Sequence, residues 1–173
     1  FNDDRLVKIS IEYFQKITEL KRTKPELEKA LDIKIGIAGR KVSMTGTPLN
    51  EYEASIILKA INFGFSAKKA LSLKDENIVF HTLNIKDFTR KKNLKIVRAR
   101  IIGEKGRTKK TIEGISNCDI MINDNEVGII SHANDIGEII TAVTNLIRGT
   151  KQANTYRYLE KINRQRKNDR NSL

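Results

Sequence analysis

The sequence predicts an α+β protein built from two copies of one β-α-α-β-β-α unit, each with a three-stranded antiparallel sheet, followed by a C-terminal helix. Three observations carry that prediction. The chain aligns with itself at an offset of 85 residues. In each copy, two short runs of period-two apolar residues lie between stretches of helical period. A Gly-x-x-Gly turn, Gly103-Glu104-Lys105-Gly106, stands between the two predicted helices that open the second copy.

The repeat shows more in pattern than in letters. Thr23-Lys24-Pro25-Glu26-Leu27-Glu28 falls on Thr108-Lys109-Lys110-Thr111-Ile112-Glu113, and Ile33, Ile35 and Ile37 fall on Cys118, Ile120 and Ile122. Val42 meets Val127, Glu53 meets Glu138, and Gly64 meets Gly149. The first strand of each copy is expected at residues 6–9 and 78–85, and the first helix at residues 11–17 and about 88–101. A second short helix opens at Thr23 or Thr108, with Pro25 suited to a first turn, where its missing N–H costs nothing. Residues 33–37 and 41–45, and in the second copy 118–122 and 126–130, alternate as half-buried strands do. Ala38-Gly39-Arg40 and Asn123-Asp124-Asn125 supply the turn chemistry between them. An amphipathic helix closes each copy, at residues 50–63 (Ala54, Ile57, Leu58, Ile61) and 135–148 (Ile136, Ile139, Ile140, Val143, Leu146, Ile147).

Residues 66–77 join the copies and are expected to hold a short helix at 67–71. Past Gly149, residues 153–162 read as an extra helix fading into a polar, basic tail, disordered at its end. The expected domains are residues 1–75, 76–150 and a C-terminal segment 151–173.

Charge is concentrated. The chain of 173 residues carries a formal net charge of +12, which calls for a polyanionic partner or surface. Residues 86–110 hold 11 bases against Asp87 and Glu104, and the segment from Lys151 holds seven bases against two acids. Residues 111–150 hold Arg148 against six acids, and residues 1–75 carry a net of only +4. No apolar run approaches the length of a transmembrane helix, and residues 1–5 do not read as a secretory signal. One cysteine, Cys118, forms no intramolecular disulfide and fits a reducing interior, so the cytoplasm is the expected compartment.

The Gly-x-x-Gly turn gives that charge a purpose. Without side chains at two of its positions the backbone can approach a ligand closely, and the helix that follows offers unpaired N–H groups. Such a turn in a basic setting suits a phosphodiester backbone, and the KH domain uses a GXXG loop in this way. The order β-α-α-β-β-α, with the turn between the first two helices, is that of the eukaryote-type (type I) KH fold.

The chain resembles the tandem-KH ribosome-assembly factors called partner-of-Nob proteins in their short archaeal form, and more distantly the Krr-type KH assembly factors. Gly64-Phe65-Ser66 with Lys69-Ala70-Leu71, the run from Ala99 to Lys110 with Ile112-Glu113, and Thr155-Tyr156-Arg157-Tyr158-Leu159-Glu160-Lys161 carry the resemblance. It implies binding of single-stranded RNA at the 3′ region of small-subunit rRNA, in pre-rRNA processing and small-subunit assembly. It also implies the alpha subunit of initiation factor 2 and the Nob endonuclease as partners. An initiation-linked adaptor binding that alpha subunit, or a general KH regulator, is the alternative.

Copy one departs from the family pattern, with Ile17-Thr18-Glu19-Leu20-Lys21-Arg22 where copy two has Ile102-Gly103-Glu104-Lys105-Gly106-Arg107. It is expected to be a degenerate KH domain. In copy two Gly103, Glu104, Lys105 and Gly106 are expected to form the clamp, with Thr108 opening the helix behind it. Arg107, Lys109 and Lys110 are expected to neutralise adjacent phosphates, and Arg98 and Arg100 to extend the positive track. Ile102, Ile112 and Ile120 are expected to line an apolar floor, at least two of the three belonging to the core, with Met121 or Asn123 near base edges.

An enzyme is the main competing class. His81 and His132 stand alone, no ligand-type residues show metal spacing, and no cofactor is called for. Cys118 sits at an apolar strand position and reads as a small buried hydrophobe. Gly103 to Thr108 is too short for a Walker A loop and has the Gly-Lys order wrong.

Overall fold

The computed structural model describes residues 9–173, which divide into two units with the boundary after Glu76. The first unit has a sheet in the order β1-β3-β2, all antiparallel, from β1 (Ser10–Ile11), β2 (Lys34–Ala38) and β3 (Lys41–Thr45). Period-two alternation buries Ile35, Val42 and Met44 and leaves Lys34, Gly36 and Lys41 outward. Two helices complete it, α1 (Ile17–Leu31) and α2 (Pro48–Phe63), the latter capped by the Thr47 hydroxyl, which accepts the N–H of Asn50. A short α3 (Ala67–Leu71), capped in the same way by Ser66, lies where the sequence places a linker helix.

The order of this unit is therefore β-α-β-β-α, one helix fewer than expected. The helix expected at residues 11–17 does not form, and the one expected from Thr23 begins six residues earlier, at Ile17. The strand expected at residues 6–9 falls mostly outside the described residues, and the observed β1 starts at Ser10. The sheet registers show the reason. Val42 pairs with Ile11 as Val127 pairs with Leu83, so the first strands correspond at an offset of 72 while the rest corresponds at 85. Copy one lacks 13 residues between strand and helix, which is the length of a first helix and its approach. The connecting segment is pinned by side chains instead. Arg40 Nη1 donates to the carbonyls of Phe14 and Gln15 at 3.2 and 3.1 Å. The Asn62 amide accepts the N–H of Gln15 at 2.7 Å and donates to the Tyr13 carbonyl at 3.1 Å. Polar backbone that would otherwise join a helix is satisfied this way. Phe14, fully buried, donates its N–H to Arg40 at 2.6 Å, as the fully buried Ile85 does to Asn125 at 2.8 Å in the other unit.

The second unit has the full order. Its sheet runs β4-β6-β5, antiparallel throughout, with β4 (Ile78–Asn84), β5 (Asp119–Asn123) and β6 (Glu126–His132). Helices α4 (Leu94–Ile102), α5 (Arg107–Ser116) and α6 (Ile136–Arg148) cover an aliphatic core that includes Val97, Ile101, Ile112, Ile120, Val127, Ile129, Val143 and Leu146. The α4 helix starts six residues later than the pattern suggested, after a 3₁₀ turn at Ile85–Asp87. The last helix, α7 (Gln152–Asn171), is a continuous 20 residues, not the short helix and disordered tail expected. Its second half is held by long-range contacts that no local pattern shows: Asn163 donates to the Ile115 carbonyl at 2.6 Å, and Arg166 to the Asn134 carbonyl at 2.7 Å.

Two details repeat across the units. Asp32 and Asn117 end α1 and α5 in the left-handed region, at φ 49° each, with the cap N–H returned to Glu28 and Glu113. The carboxylates of those glutamates then accept the N–H of Ile35 and Ile120, each at 3.0 Å, bracing a helix against the edge strand.

Candidate nucleic-acid interface

The α4 helix buries Val97 and Ile101 and stops at Gly103, whose N–H donates to the Ala99 carbonyl at 2.8 Å. Gly103 has φ 74° and ψ 172°, a region open essentially to glycine alone. It also has no room: a Cβ there would lie 2.1 Å from Thr108 Oγ1 and 2.7 Å from Thr108 N. Gly106, at φ 74° and ψ 14°, has open space around it and is required by its backbone angle alone. Between them Lys105 takes φ 53°, and the N–H of Gly106 donates to the Gly103 carbonyl at 3.2 Å. The loop is thus a tight turn, with Thr108 buried behind it and Glu104 and Lys105 exposed.

From this turn α5 starts without a side-chain cap and without an acid in its first turn. The N–H of Arg107 donates back to the Glu104 carbonyl, closing the turn, and the first turn of α5 carries the positive end of the helix dipole. Arg107 and Lys110 are exposed beside them. The arrangement supplies a glycine backbone open to close approach, a partial positive charge and exposed cations at one place, which suits a phosphate.

The corresponding positions in the first unit, Thr18 to Lys21, lie inside α1. Leu20 is fully buried there, and its N–H donates to the Lys16 carbonyl at 3.0 Å. Arg22 pairs with Glu19 at 2.6 Å, and the Thr23 hydroxyl donates to the Glu19 carbonyl, so local chemistry supports helix where glycines would have broken it. Pro25 sits in the interior of the fused helix and leaves the Lys21 carbonyl without its usual amide donor.

The remaining expected site residues separate. Ile112 and Ile120 are 0% and 1% exposed and belong to the core, so Ile120 offers no side chain to a ligand. Ile102, 37% exposed, remains accessible. Met121 and Asn123 alternate with Ile120 and Ile122 and so lie on the sheet face opposite the core. Lys109 is committed to Glu113 at 3.2 Å rather than free for a phosphate. Arg98 and Arg100 flank α4 on different sides: Arg98 donates to the Asn125 side chain at 2.9 Å, while Arg100 lies at Gly149, where α6 ends. The track is therefore not continuous through the two arginines.

Glu113, which the repeat aligns with Glu28, shapes the edge of the candidate site although its residue type alone gives no sign of it. Its carboxylate occupies the outward N–H of Ile120 on the edge strand β5. By antiparallel alternation Ile122 turns its own N–H and C=O to the same open edge. Cys118 next to it is buried, and burial, with Glu113 and Asp119 nearby, pushes its thiol up to about 12, so it is protonated and unreactive at neutral pH. Among the described residues no cluster suited to a metal occurs, and no helix is long and apolar enough to cross a membrane.

Residues 79–164, from β4 past the middle of α7, match the model of the second PNO1 domain, a eukaryotic type KH-domain (KH-domain type I). The crystal structure of Dim2p from Pyrococcus horikoshii is similar with a TM-score of 0.81 and 33% identity, covering 90% of this chain and 99% of that one. The a/eIF2alpha-aDim2p-rRNA complex from the same organism contains a chain similar at TM-score 0.83 and 32% identity, with 92% and 95% covered. A KH domain-containing protein of Methanocaldococcus jannaschii is 30% identical over 145 residues, 80% of this chain. This chain spans 64% of the length of that curated relative. With the glycine turn, the three-stranded sheet and these likenesses together, the chain belongs to the PNO1/Dim2 family of KH-domain proteins.

Proposed function

We propose that the chain binds single-stranded RNA through its second unit, and that the RNA is the 3′ region of small-subunit rRNA during pre-rRNA processing and subunit assembly in the cytoplasm. The observation that carries the reading is the Gly103–Gly106 turn, opening into an uncapped, acid-free helix start beside Arg107 and Lys110. The similar Pyrococcus chain forms a complex with rRNA, which supports the choice of RNA over other polyanions. In this reading Gly103, Glu104, Lys105 and Gly106 hold the sugar-phosphate backbone, and Ile102 with the β5 edge at Ile122 receives the bases. The first unit is a degenerate KH domain that takes no RNA, because Thr18 to Lys21 are helical, with Leu20 buried where Lys105 stands exposed and Glu19 in the first turn.

Contact with the alpha subunit of initiation factor 2 is a second reading, favoured by that factor's presence in the same Pyrococcus complex. Association with a Nob-type endonuclease rests on the family resemblance alone.

Titration with a small-subunit 3′-end oligonucleotide tests the main reading. Replacing Glu104 and Lys105 together by Asp is expected to weaken binding at least about tenfold while circular dichroism stays unchanged, because the Lys105 cation becomes a second acid facing the phosphates. A folded double variant with unaltered affinity refutes the clamp.

A further inference from the structure

The α7 helix sorts its cations by face. Inward, Thr155 and Leu159 are buried, and Arg166 is neutralised by Asp135 and by Glu138, the latter at 2.8 Å. Outward, Arg157, Lys161, Arg164 and Lys167 recur at spacings of four, three and three, which places them on one broad exposed face. Among the described residues Lys161, Arg164 and Lys167 make no hydrogen bond or ion pair, and Arg157 meets only the Asn154 amide at 3.4 Å. Glu160 is the acid interspersed among them. Like charges at these spacings repel, and Glu160, three residues after Arg157 and four before Arg164, offsets only part of that repulsion, so the face keeps an excess of positive charge for a polyanion.

The position of α7 connects that face to the clamp. The helix packs along α5, which begins at the glycine turn, and the Asn163 amide fixes it to Ile115. Ile115 lies nine residues along α5 from Gly106, about 14 Å at the helical rise. Arg107 and Lys110 stand exposed on α5 in between.

We propose that the outer face of α7 is a second phosphate-binding strip, taking the strand of single-stranded RNA that continues beyond the nucleotides held at Gly103–Gly106. The inference rests on the RNA-binding reading above and adds a surface to it. A KH clamp holds about four nucleotides, so the strip contributes only to longer strands. Its contacts are to phosphates and carry no base preference.

The full chain is titrated with a small-subunit 3′-end strand of about four nucleotides and with one of about twelve, over a range of salt. Three proteins are compared: the unaltered chain, Lys161→Ala with Arg164→Ala, and the Glu104→Asp with Lys105→Asp clamp variant. The expected result is that the α7 variant loses about tenfold in affinity for the long strand only, and that its log–log salt slope falls by about 1.4, at about 0.7 per lost phosphate contact. The clamp variant loses both strands. Unchanged long-strand affinity and slope in the α7 variant overturn the strip while leaving the clamp standing. Equal loss on both strands also overturns it, since the helix then acts through the fold. A clamp variant that binds both strands normally overturns the underlying reading instead.

Discussion

Replacing Gly103 by Ala separates the two glycines of the turn. At Gly103 the new Cβ meets Thr108 Oγ1 at 2.1 Å and Thr108 Cβ and N at 2.7 Å each, and part of that neighbour is backbone. Its backbone angles add about 1–3 kcal/mol of strain for any side chain. Overpacking against a buried neighbour adds about 1–3 kcal/mol more. The expected loss is thus about 2–6 kcal/mol for Gly103→Ala. Gly106→Ala meets nothing within 4 Å and costs only the left-handed backbone, about 1–2 kcal/mol. Urea unfolding followed by circular dichroism measures both, and RNA titration of the folded fraction shows what each does to the clamp. Equal destabilisation by the two substitutions would refute the claim that Thr108 packs the turn from behind.

Two other outcomes follow from the same geometry. Glu113→Ala is expected to destabilise the second unit by about 1–3 kcal/mol, since the Ile120 N–H and Lys109 both lose their partner, and Glu28→Ala is expected to do the same to the first through Ile35. Hydrogen exchange at Ile120 and Ile35 reads each loss directly. Cys118 is expected to resist alkylation at pH 8 until the unit unfolds. Its folded thiol holds its proton up to about 12, well above the ordinary cysteine range, so this group's contribution to stability is complete below about pH 9 and declines as the pH rises toward 12.

What the sequence made legible is governed by local periodicity. The two period-two hairpins, α2, α3 and α6 were readable because burial on one face leaves a repeating mark, and the glycine turn was readable because its angles exclude other residues. The absence of a first helix in copy one leaves no such mark. An offset of 85 fits everything from α1 onward, and a deletion of 13 residues ahead of it leaves no signal in the aligned letters. The fused α1 was hidden by Pro25, whose rule for first turns is sound in the second unit's frame but does not prevent a longer helix from starting at Ile17. Facing was the other limit. Ile102 and Ile120 are the same residue type and both are expected on the apolar floor, yet one is 37% exposed and the other 1%, and only packing distinguishes them. The pairing of Lys109 with Glu113 four residues on follows a local rule and could have been foreseen. The Arg98–Asn125 contact spans 27 residues and could not.

Ultraviolet crosslinking of the full chain to a small-subunit 3′-end RNA, with mass spectrometry of the linked peptides, tests the account at its centre. Crosslinks within residues 102–110, and none within residues 17–31, are the predicted result. Crosslinks concentrated on α1 instead would contradict the assignment of the RNA grip to the Gly103–Gly106 turn.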